Sequence, residues 1–517
     1  MILLLSAKAF ACGGMFCDAV VPVDQAAERI IFSFDGAMLD TEVQITYQGE
    51  ADDFAWVVPV PVEPELFVSN DAMFTQLANN TIPTYTLLSD ATGGSLSLGC
   101  ALPESSMDTA MVMAGEDSNG VNVVSEETVG PYETVVLQAT DADVLVQWLQ
   151  DQGYSLPDGL STTLEPYIAD QQYFVALKLA SGKSAGDMTP LGLRYPATAA
   201  SIPIQLTAVA AIEDLPIEVF VLGPSRAVPD NYLHVQLNDA AIDWYNGSTN
   251  YRDVVSRAAD EAGGQAFATD FVGSPEDLNV RVWDSGMIDT EYIATASEPT
   301  TWLSDIVYSS LPGSAQLTAL LLRFVPAPAG VEDADFLSCP DCYADDVNLP
   351  DFDPVVATAA LDEEILRVMA QQQARFDGAN VVTRLFTTLS PSEMTADPIF
   401  VFNEDLPQKV ALAHSATDHT VSSWSGKMTS RRLELSDGRV FDFSDPKNPS
   451  LSDVNTPAAL IIEDLGATGE GTVVFDGTAD AKATAESFSA GCEDSGSSVV
   501  FAPLLLLAAG VVRRRRA

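Results

Sequence analysis

Residues 28–47 read ERIIFSFDGAMLDTEVQITY, and their alternation of apolar and polar side chains predicts two β-strands. Ile30, Phe32 and Phe34 share one face of the first strand, and Asp35-Gly36 provides a turn into the second. A third strand is expected at Phe54–Val58, before the prolines at positions 59, 61 and 64. We therefore expect an antiparallel meander of three strands with one buried face.

Short amphipathic helices are expected between further strands. One begins after Ser69 or Asn70 and ends near Pro83, and another is capped by Thr140 and ends at Gly153. Apolar residues also recur at helical spacing in residues 251–262, 301–310 and 359–374.

For two other stretches, composition alone predicts the structure. Residues 104–130 are polar and rich in Gly, Ser and Glu, which indicates a surface loop, and residues 202–209 are apolar, which indicates a strand. Together with the helices, these patterns predict the α+β class, with mostly antiparallel sheets and several short amphipathic helices.

The charge of the chain excludes one class of function. Among 517 residues, 74 are acidic and 24 are Lys or Arg, which gives a formal net charge of −50. Nucleic acids and anionic membrane surfaces are bound through clusters of Lys and Arg, so we expect no nucleic-acid partner and disfavour an anionic membrane surface. Hydrophobic residues make up 47 %, enough for a packed core.

The start of the chain has features of an export signal. The stretch MILLLSAKAFA contains a short apolar run and then Ala9-Phe10-Ala11 before Cys12. Because signal peptidase recognises small residues at this spacing, we predict a signal peptide over residues 1–11, cut between Ala11 and Cys12. It is shorter than the usual range of roughly 15–30 residues, which predicts that the initiation site lies upstream of Met1. A cytosolic chain with an apolar start and a lipoprotein cut before Cys12 are the alternatives.

The end of the chain has the parts of a sorting signal. Gly491-Cys492 is followed by the polar residues 493–498, the apolar residues 499–512 and four arginines at 513–516. At about 1.5 Å per residue, a helix over the apolar stretch is shorter than the roughly 30 Å hydrocarbon core of a bilayer. The arginines would hold it on the cytoplasmic side.

This order of parts resembles the MYXO-CTERM type of sorting tail. The resemblance implies that residues 492–517 hold an exported protein in the inner membrane until a dedicated protease cuts near Cys492. Cys492 is then the site of processing or lipid attachment, and the product reaches the cell surface. A plain C-terminal membrane anchor is the alternative.

Six cysteines stand at positions 12, 17, 100, 339, 342 and 492. In an exported protein they are first expected to form disulfides, and reserving the last one for processing leaves Cys100 without a partner. A Cys₄ zinc site is one alternative, which the C-x₄-C spacing fits poorly. A thioredoxin-like redox site at the CxxC is another, which the surrounding Pro/Asp-rich loop fits poorly. The candidate disulfide cysteines are Cys12, Cys17, Cys339 and Cys342.

Several separate blocks of sequence form a recognisable set. They are Cys12-Gly-Gly-Met-Phe-Cys17, Pro22-Val-Asp-Gln25 with Glu28-Arg-Ile30, Asp53-Phe-Ala-Trp-Val-Val-Pro-Val-Pro61, Thr383-Arg-Leu-Phe-Thr-Thr-Leu-Ser-Pro391 and Asp397-Pro-Ile-Phe-Val401. Together they resemble the domain-of-unknown-function family numbered 2330. The resemblance spans most of residues 12–405 and implies an exported bacterial protein, with no activity, ligand or catalytic residue to carry over.

The Pro/Asp-rich stretch 326–354 is the place where we divide the chain. After the signal peptide, residues 12–330 form β-rich α+β structure of the uncharacterised family. Residues 331–491 form a C-terminal α+β part with the acidic CxxC loop, and residues 492–517 form the tail.

Catalytic motifs are few. Gly182-Lys-Ser184-Ala-Gly186 fits the G-x-S-x-G pattern of a nucleophilic serine, but the following Asp187-Met-Thr-Pro190 predicts a hairpin loop where a hydrolase needs a helix. The three histidines are His234, His414 and His419. The last two are five residues apart, unlike the i, i+4 pair of a metalloprotease helix, and we expect them in a surface loop.

Acidic residues are dense around the CxxC and could hold Ca²⁺ outside the cell, although the loop lacks the central Gly and closing Glu of an EF-hand. We expect no cofactor, with calcium as the alternative. The candidate ligands are Asp341, Asp345, Asp346, Asp351 and Asp353.

We therefore expect an exported, acidic, cell-surface-directed protein with a structural, binding or adhesive role and no catalytic activity. Its expected location is the cell surface, the outer membrane or the exterior. Its expected partners are the export machinery, a sorting protease and, through the tail, the inner membrane before processing. The alternatives are a secreted hydrolase that uses carboxylates or Ser184 and a calcium-binding surface module.

Overall fold

The predicted hairpin is present in the computed structural model of the protein. Strands β2 (Glu28–Asp35) and β3 (Met38–Gln44) pair antiparallel, with Asp35 opposite Met38. The turn between them contains Gly36 at a φ of 62°, a left-handed conformation that glycine adopts without a Cβ clash. The same hairpin lies inside the largest sheet of the molecule.

The structure describes residues 15–16, 28–44, 54–90, 120–157, 159–181, 183, 188–209, 211–422, 428–443, 445, 447, 449–451 and 456–490. The other strands are β1 (Met15–Phe16), β4 (Ala55–Val60), β5 (Glu65–Val68), β6 (Thr84–Ser89), β7 (Val121–Val129), β8 (Tyr132–Ala139), β9 (Tyr173–Leu179), β10 (Leu191–Pro196), β11 (Ala200–Ser201), β12 (Leu215–Gly223), β13 (Ala227–Pro229), β14 (Leu233–Leu237), β15 (Ala266–Gly273), β16 (Val381–Leu389), β17 (Ile399–Phe402), β18 (Ala413–Ser422), β19 (Met428–Leu435), β20 (Val440–Phe443), β21 (Ala459–Asp464) and β22 (Thr472–Asp476). The helices are α1 (Asp71–Thr81), α2 (Ala142–Asp151), α3 (Leu160–Ala169), α4 (Ile204–Thr207), α5 (Tyr251–Glu261), α6 (Thr290–Ile293), α7 (Pro299–Val307), α8 (Ala315–Phe324), α9 (Asp333–Ser338), α10 (Pro354–Leu361), α11 (Arg367–Gly378) and α12 (Thr478–Ala490).

The largest sheet has ten strands in the order β22-β21-β14-β15-β16-β12-β2-β3-β10-β5. The pairs β2–β12 and β14–β15 are parallel, and the other pairs in this sheet are antiparallel. Smaller sheets have the orders β1-β4-β9-β8-β7, β11-β17-β13 and β20-β19-β18-β6. The fold is α+β with mostly antiparallel sheets, as predicted.

The third predicted strand, β4, is present but does not continue the hairpin. It lies in the five-stranded sheet between β1 and β9, and β2 pairs on its other side with β12. The predicted three-stranded meander is therefore wrong. All six residues of β4 are buried, so both faces of this strand pack against other parts of the protein. A strand at the edge of a meander with one solvent-exposed face would have only one buried face.

The two large sheets pack face to face, and helices cover their outer faces. Phe32 and Val219 of the ten-stranded sheet share a hydrophobic cluster with Val58 and Tyr132 of the five-stranded sheet. The other face of the five-stranded sheet packs on α2 and α3. The other face of the ten-stranded sheet packs on a cluster that includes α1, α7, α8 and α11, with Trp302 at its centre, fully buried.

Helix α11 is held on the ten-stranded sheet by buried polar contacts. Arg375 Nε donates to Asp40 Oδ2 at 2.7 Å, and Arg375 Nη1 lies 3.3 Å from Glu42 Oε1. Gln372 Nε2 donates to the other oxygen of Glu42 at 2.9 Å and to the Asn70 carbonyl at 2.9 Å. Asp40 and Glu42 are almost fully buried, so their charges depend on these partners.

Local details differ from the sequence predictions in three places. Residues 204–207 form helix α4 where a strand was predicted, because a short apolar run is compatible with either structure. Residues 121–129 form β7 and are not part of a loop, since β8 supplies an antiparallel partner. Asp141, one residue after the predicted Thr140, caps α2 by accepting from Val144 N. The cap of α1 is Asn70, one of the two predicted candidates, and that helix ends at Thr81.

Strands from both sides of residue 330, where we divide the chain, contribute to the ten-stranded sheet. Strand β16 lies between β12 and β15, and β21 and β22 extend the sheet beyond β14. The residues after 330 therefore share a hydrogen-bonded sheet with the residues before it.

Candidate functional site

A small pocket lies where the hairpin faces β4. It is lined by side chains of β2, β3, β4 and β10 and by residues 201–207, and its cavity volume is about 40 Å³. Most of the lining is apolar, including Ile30, Phe32 and Val58. Its ionisable groups are Glu28 and Tyr195.

Glu28 enters this pocket because of its position on β2. It is the first residue of the strand, and side chains at alternate positions of a strand point to the same face. Glu28 thus shares its face with Ile30 and Phe32, which belong to the core between the two sheets. Only 7 % of its surface is exposed, so a carboxyl group lies in apolar surroundings.

The electrostatic state of Glu28 follows from this burial. Desolvation raises the pKa of its carboxyl group from 4.5 to about 7, against a smaller opposing effect of a side-chain hydrogen bond from Thr207. Within the described part of the chain, Oε2 of Glu28 has no hydrogen-bond partner. Near neutral pH this oxygen can accept a hydrogen bond, face a positive charge or exchange a proton.

Tyr195 and Thr41 complete the polar side of the pocket. The Tyr195 hydroxyl lies 3.4 Å from Thr41 Oγ1, and burial raises the pKa of this tyrosine. Tyr195 is therefore a neutral group at physiological pH. Trp56, from β4, adds an aromatic ring to the lining.

The residue next to Glu28 belongs to a different set of contacts on the other face of the sheet. Arg29 Nε lies 2.7 Å from Glu218 Oε2, and Glu218 also contacts Arg384. Arg384 Nε lies 3.2 Å from Asp270 Oδ2, and the Tyr251 hydroxyl donates to the other oxygen of Asp270. Burial raises the pKa of Asp270 to about 6, although Arg384 opposes the shift. These groups pair with one another, so we assign them a structural role.

His234 is buried in a separate contact. Its Nδ1 lies 3.1 Å from Glu463 Oε2, and its Nε2 lies 3.0 Å from Thr269 Oγ1. Burial lowers the pKa of His234, and the hydrogen bond to Glu463 opposes this effect. Both ring nitrogens have partners from neighbouring strands, so the ring links β14, β15 and β21.

His414 and His419 lie on strand β18, and the predicted surface loop is wrong. Pairing with β6 and β19 gives the polar segment its extended form. His414 Nδ1 lies 3.3 Å from Asp239 Oδ1, while His419 bridges Asp90 and Glu434 at 3.0 Å each. The three histidines therefore occupy three separate contacts.

In the acidic loop, a disulfide joins Cys339 and Cys342. Asp341 accepts a hydrogen bond from Ser304 Oγ at 2.8 Å, and Asp353 caps α10 by accepting from the backbone of residues 355 and 356. Among the residues that the structure describes, no three His, Cys, Asp or Glu side chains are grouped so that they could hold a metal ion. The loop thus does not bring Asp345, Asp346 and Asp351 together with the other two aspartates around a cation.

A second, more open pocket of about 440 Å³ lies beside this loop. Leu349, Phe352 and Val356 supply its apolar lining. Its basic residue, Arg323, is paired with Glu364 at 2.7 Å. Arg323 and the helix cap Asp353, which also lines this pocket, are thus already engaged, in contrast to Glu28 Oε2.

Several predicted site residues lie outside the described residues, so their roles stay predictions. Within the described ranges no helix has the length and apolar composition needed to cross a membrane, and residues 499–512 are not among them. The residues concerned are Ala11 and Cys12 at the cleavage site, Cys17, Cys100, Ser184 and Cys492.

The burial of Glu28 is indicated by the sequence, although this residue belongs to none of the catalytic motifs. The period-two pattern places residue 28 on the same face as Ile30, Phe32 and Phe34. A carboxylate on the apolar face of a strand is unusual, because burying an unpaired charge is costly. The cavity itself is formed by β4 and residues 201–207, which are distant in sequence.

Comparison with known proteins identifies a family. A family model described as an uncharacterized protein conserved in bacteria (DUF2330) matches residues 6–292. Every residue that lines the Glu28 pocket falls within this range, whereas the blocks at 383–391 and 397–401 lie beyond it. No curated protein and no solved structure matches significantly.

Proposed function

The chain belongs to the DUF2330 family of uncharacterized proteins conserved in bacteria, and from this premise we propose that it is an exported protein of the cell surface that binds a small ligand in the Glu28 pocket. It acts by binding and not by catalysis. The sorting tail delivers it to the surface, and its acidic exterior keeps it soluble there.

The observation that carries the proposal is Glu28 Oε2, which lies in an apolar pocket and has no hydrogen-bond partner among the residues that the structure describes. A buried polar atom without a partner is a ready acceptor for a ligand. Carboxylate catalysis ordinarily uses two ionisable groups with different roles, and Glu28 is accompanied in the lining by Tyr195, whose raised pKa keeps it neutral. One carboxyl group in an apolar enclosure is an arrangement that favours holding a ligand.

The CxxC loop supports export. Cys342 is exposed and is joined to Cys339 by a disulfide. Disulfides at accessible positions persist in oxidising compartments and are reduced in the bacterial cytosol. The net charge of −50 agrees with a protein that works away from nucleic acids.

Location is tested in the native bacterium by protease accessibility and thiol trapping. We expect external protease to degrade the protein in intact cells, and we expect Cys339 and Cys342 to react with an alkylating reagent only after reduction. A cytosolic protein of the same cells serves as the control and stays protected. Recovery of the protein in the cytosol with free thiols at both positions would disprove export.

Processing is tested by intact mass. We expect the mature protein to begin near Cys12 and to end near Cys492, with or without a lipid on Cys492. If mature surface protein still carries Arg513–Arg516, the sorting-tail hypothesis is wrong and a plain anchor takes its place.

A further inference from the structure

We propose that the ligand of the Glu28 pocket is a small organic cation, a primary or methylated ammonium of a few non-hydrogen atoms, held against the Glu28 carboxylate. This inference rests on the proposed binding function and names the class of ligand. No comparison assigns a ligand to this site.

The charge of the pocket decides between a cation and an anion. Glu28 provides a hydrogen-bond acceptor at Oε2, and no Lys, Arg or His of the described chain is paired with it. Its sequence neighbour Arg29 lies on the opposite face of the sheet and is paired with Glu218. An ammonium that keeps an N–H would supply both a hydrogen bond and a positive charge to Glu28, and a fully methylated one would supply the charge alone, in surroundings where low polarity strengthens the attraction.

The lining of the pocket favours an organic cation over a metal ion. A metal ion needs several oxygen or nitrogen ligands, and Glu28 is the one carboxylate of the lining. Trp56 and Phe32 provide aromatic rings, and aliphatic side chains such as Val58 provide most of the rest. Ammonium groups with methyl or methylene substituents match such surfaces, since aromatic rings attract them and apolar carbons cover their substituents.

The size of the pocket limits the ligand. A cavity of about 40 Å³ exceeds the roughly 10–15 Å³ that a water molecule needs. It is well below the roughly 300–1,000 Å³ of pockets for drug-sized molecules. The site therefore accepts a cationic group of a few non-hydrogen atoms. The net charge of −50 raises the local concentration of cations and lowers that of anions.

Binding is linked to a proton. With a pKa of about 7, the Glu28 carboxyl group is partly protonated near neutral pH, and a cation binds the ionised form. Tyr195, the other ionisable group that faces the pocket, stays neutral because its pKa is raised. Affinity should therefore be about tenfold lower at pH 6 than at pH 8, following the ionised fraction of Glu28.

The experiment is a ligand-observed NMR titration of the purified chain with methylammonium and tetramethylammonium chloride. Acetamide is the neutral probe and acetate the anionic probe. The variants are Glu28→Gln, which keeps the shape and removes the charge, and Glu65→Gln, which removes an exposed glutamate of β5 as the matched control. Circular dichroism verifies that each variant is folded.

We expect saturable binding of at least one cation, a loss of tenfold or more in Glu28→Gln and no change in Glu65→Gln. Cation binding that is the same in folded Glu28→Gln as in wild type would come from the acidic surface alone and would overturn the inference. Acetamide binding that depends on Glu28 and strengthens at pH 6 would keep the proposed binding function but disprove the cation. A folded wild type that binds none of the probes would disprove both, while location would remain decided by the cellular experiment.

Discussion

Glu28 carries a cost for stability as well as a candidate role in binding. Its pKa is about 7 in the folded protein against 4.5 in the unfolded chain, so the folded state holds the proton more tightly. Between these two values the native state binds more protons than the unfolded state, and stability falls as the pH rises. The full penalty, reached above pH 7, is about 3 kcal/mol at 1.36 kcal/mol per pKa unit.

Glu28→Gln should remove this penalty. Without ligand, we expect the variant to be more stable than wild type at pH 8 by up to about 3 kcal/mol, with the gain shrinking toward pH 5. Urea unfolding at several pH values measures the difference. Other groups, such as Asp270 with its raised pKa, titrate in both proteins, so their contributions to the stability difference cancel. A variant less stable than wild type at pH 8 would contradict the raised pKa of Glu28.

The residue scale also shows what the sequence could indicate about the site. The alternation of residues 28–34 places Glu28 on an apolar face, so its burial could be predicted. The missing partner at Oε2 could not, because Thr207, Trp56 and Tyr195 come from three other parts of the chain. Acidic residues that are dense in sequence, such as Asp341 and Asp345, suggested a calcium site, yet no three His, Cys, Asp or Glu side chains of the described residues are grouped so that they could hold a metal ion.

At the scale of elements, α11 depends on ion pairs with two buried carboxylates. Arg375→Met should destabilise the protein by about 3 kcal/mol, because Asp40 and Glu42 would lose a charged partner in a buried place while Arg194 still pairs with Asp40. Urea unfolding measures the loss.

The same helix offers a matched control. Arg367 pairs with Asp362 at 2.7 Å, but the side chains are 64 % and 42 % exposed. Exposed pairs contribute about 0–1 kcal/mol, so Arg367→Met should have a small effect. Equal losses in both variants would mean that the helix contributes through its apolar face and not through these charges.

Elements whose signals are local were predictable from the sequence. The β2–β3 hairpin has its alternation and its Asp35-Gly36 turn, and α1 has Asn70 as a cap. The placement of β4 was not predictable, since β9 and not the preceding β3 is its partner. The prediction of a strand at helix α4 was wrong because a stretch as short as four residues does not reveal its period.

At the scale of the whole molecule, the net charge of −50 opposes the compact state by self-repulsion. Salt shortens the range of this repulsion, from a screening length of about 30 Å at 0.01 M to about 8 Å at 0.15 M. We therefore expect the Tm to rise as NaCl is added over this range. A Tm that stays constant or falls would show that the surface charges are already balanced by local pairs.

A comparison of two divalent cations distinguishes general charge screening from specific calcium binding. MgCl₂ and CaCl₂ at equal concentration screen alike, so they should raise the Tm alike if the five aspartates near the disulfide hold no calcium. Calcium selects larger sites with more oxygen ligands than magnesium does. A clearly larger rise with CaCl₂ would therefore support the calcium-binding alternative.

The order of strands in the ten-stranded sheet sets when the protein can fold. Strand β12 is flanked by β2 from the start of the chain and by β16, which ends at Leu389. A nascent chain cannot complete the centre of this sheet until most of its length has been synthesised, and contacts between such distant segments form slowly. If the chain is exported as proposed, slow closure is an advantage, because the polypeptide stays extended and can pass through a membrane channel. The same delay leaves apolar strands uncovered while synthesis continues, which exposes the unfinished chain to aggregation.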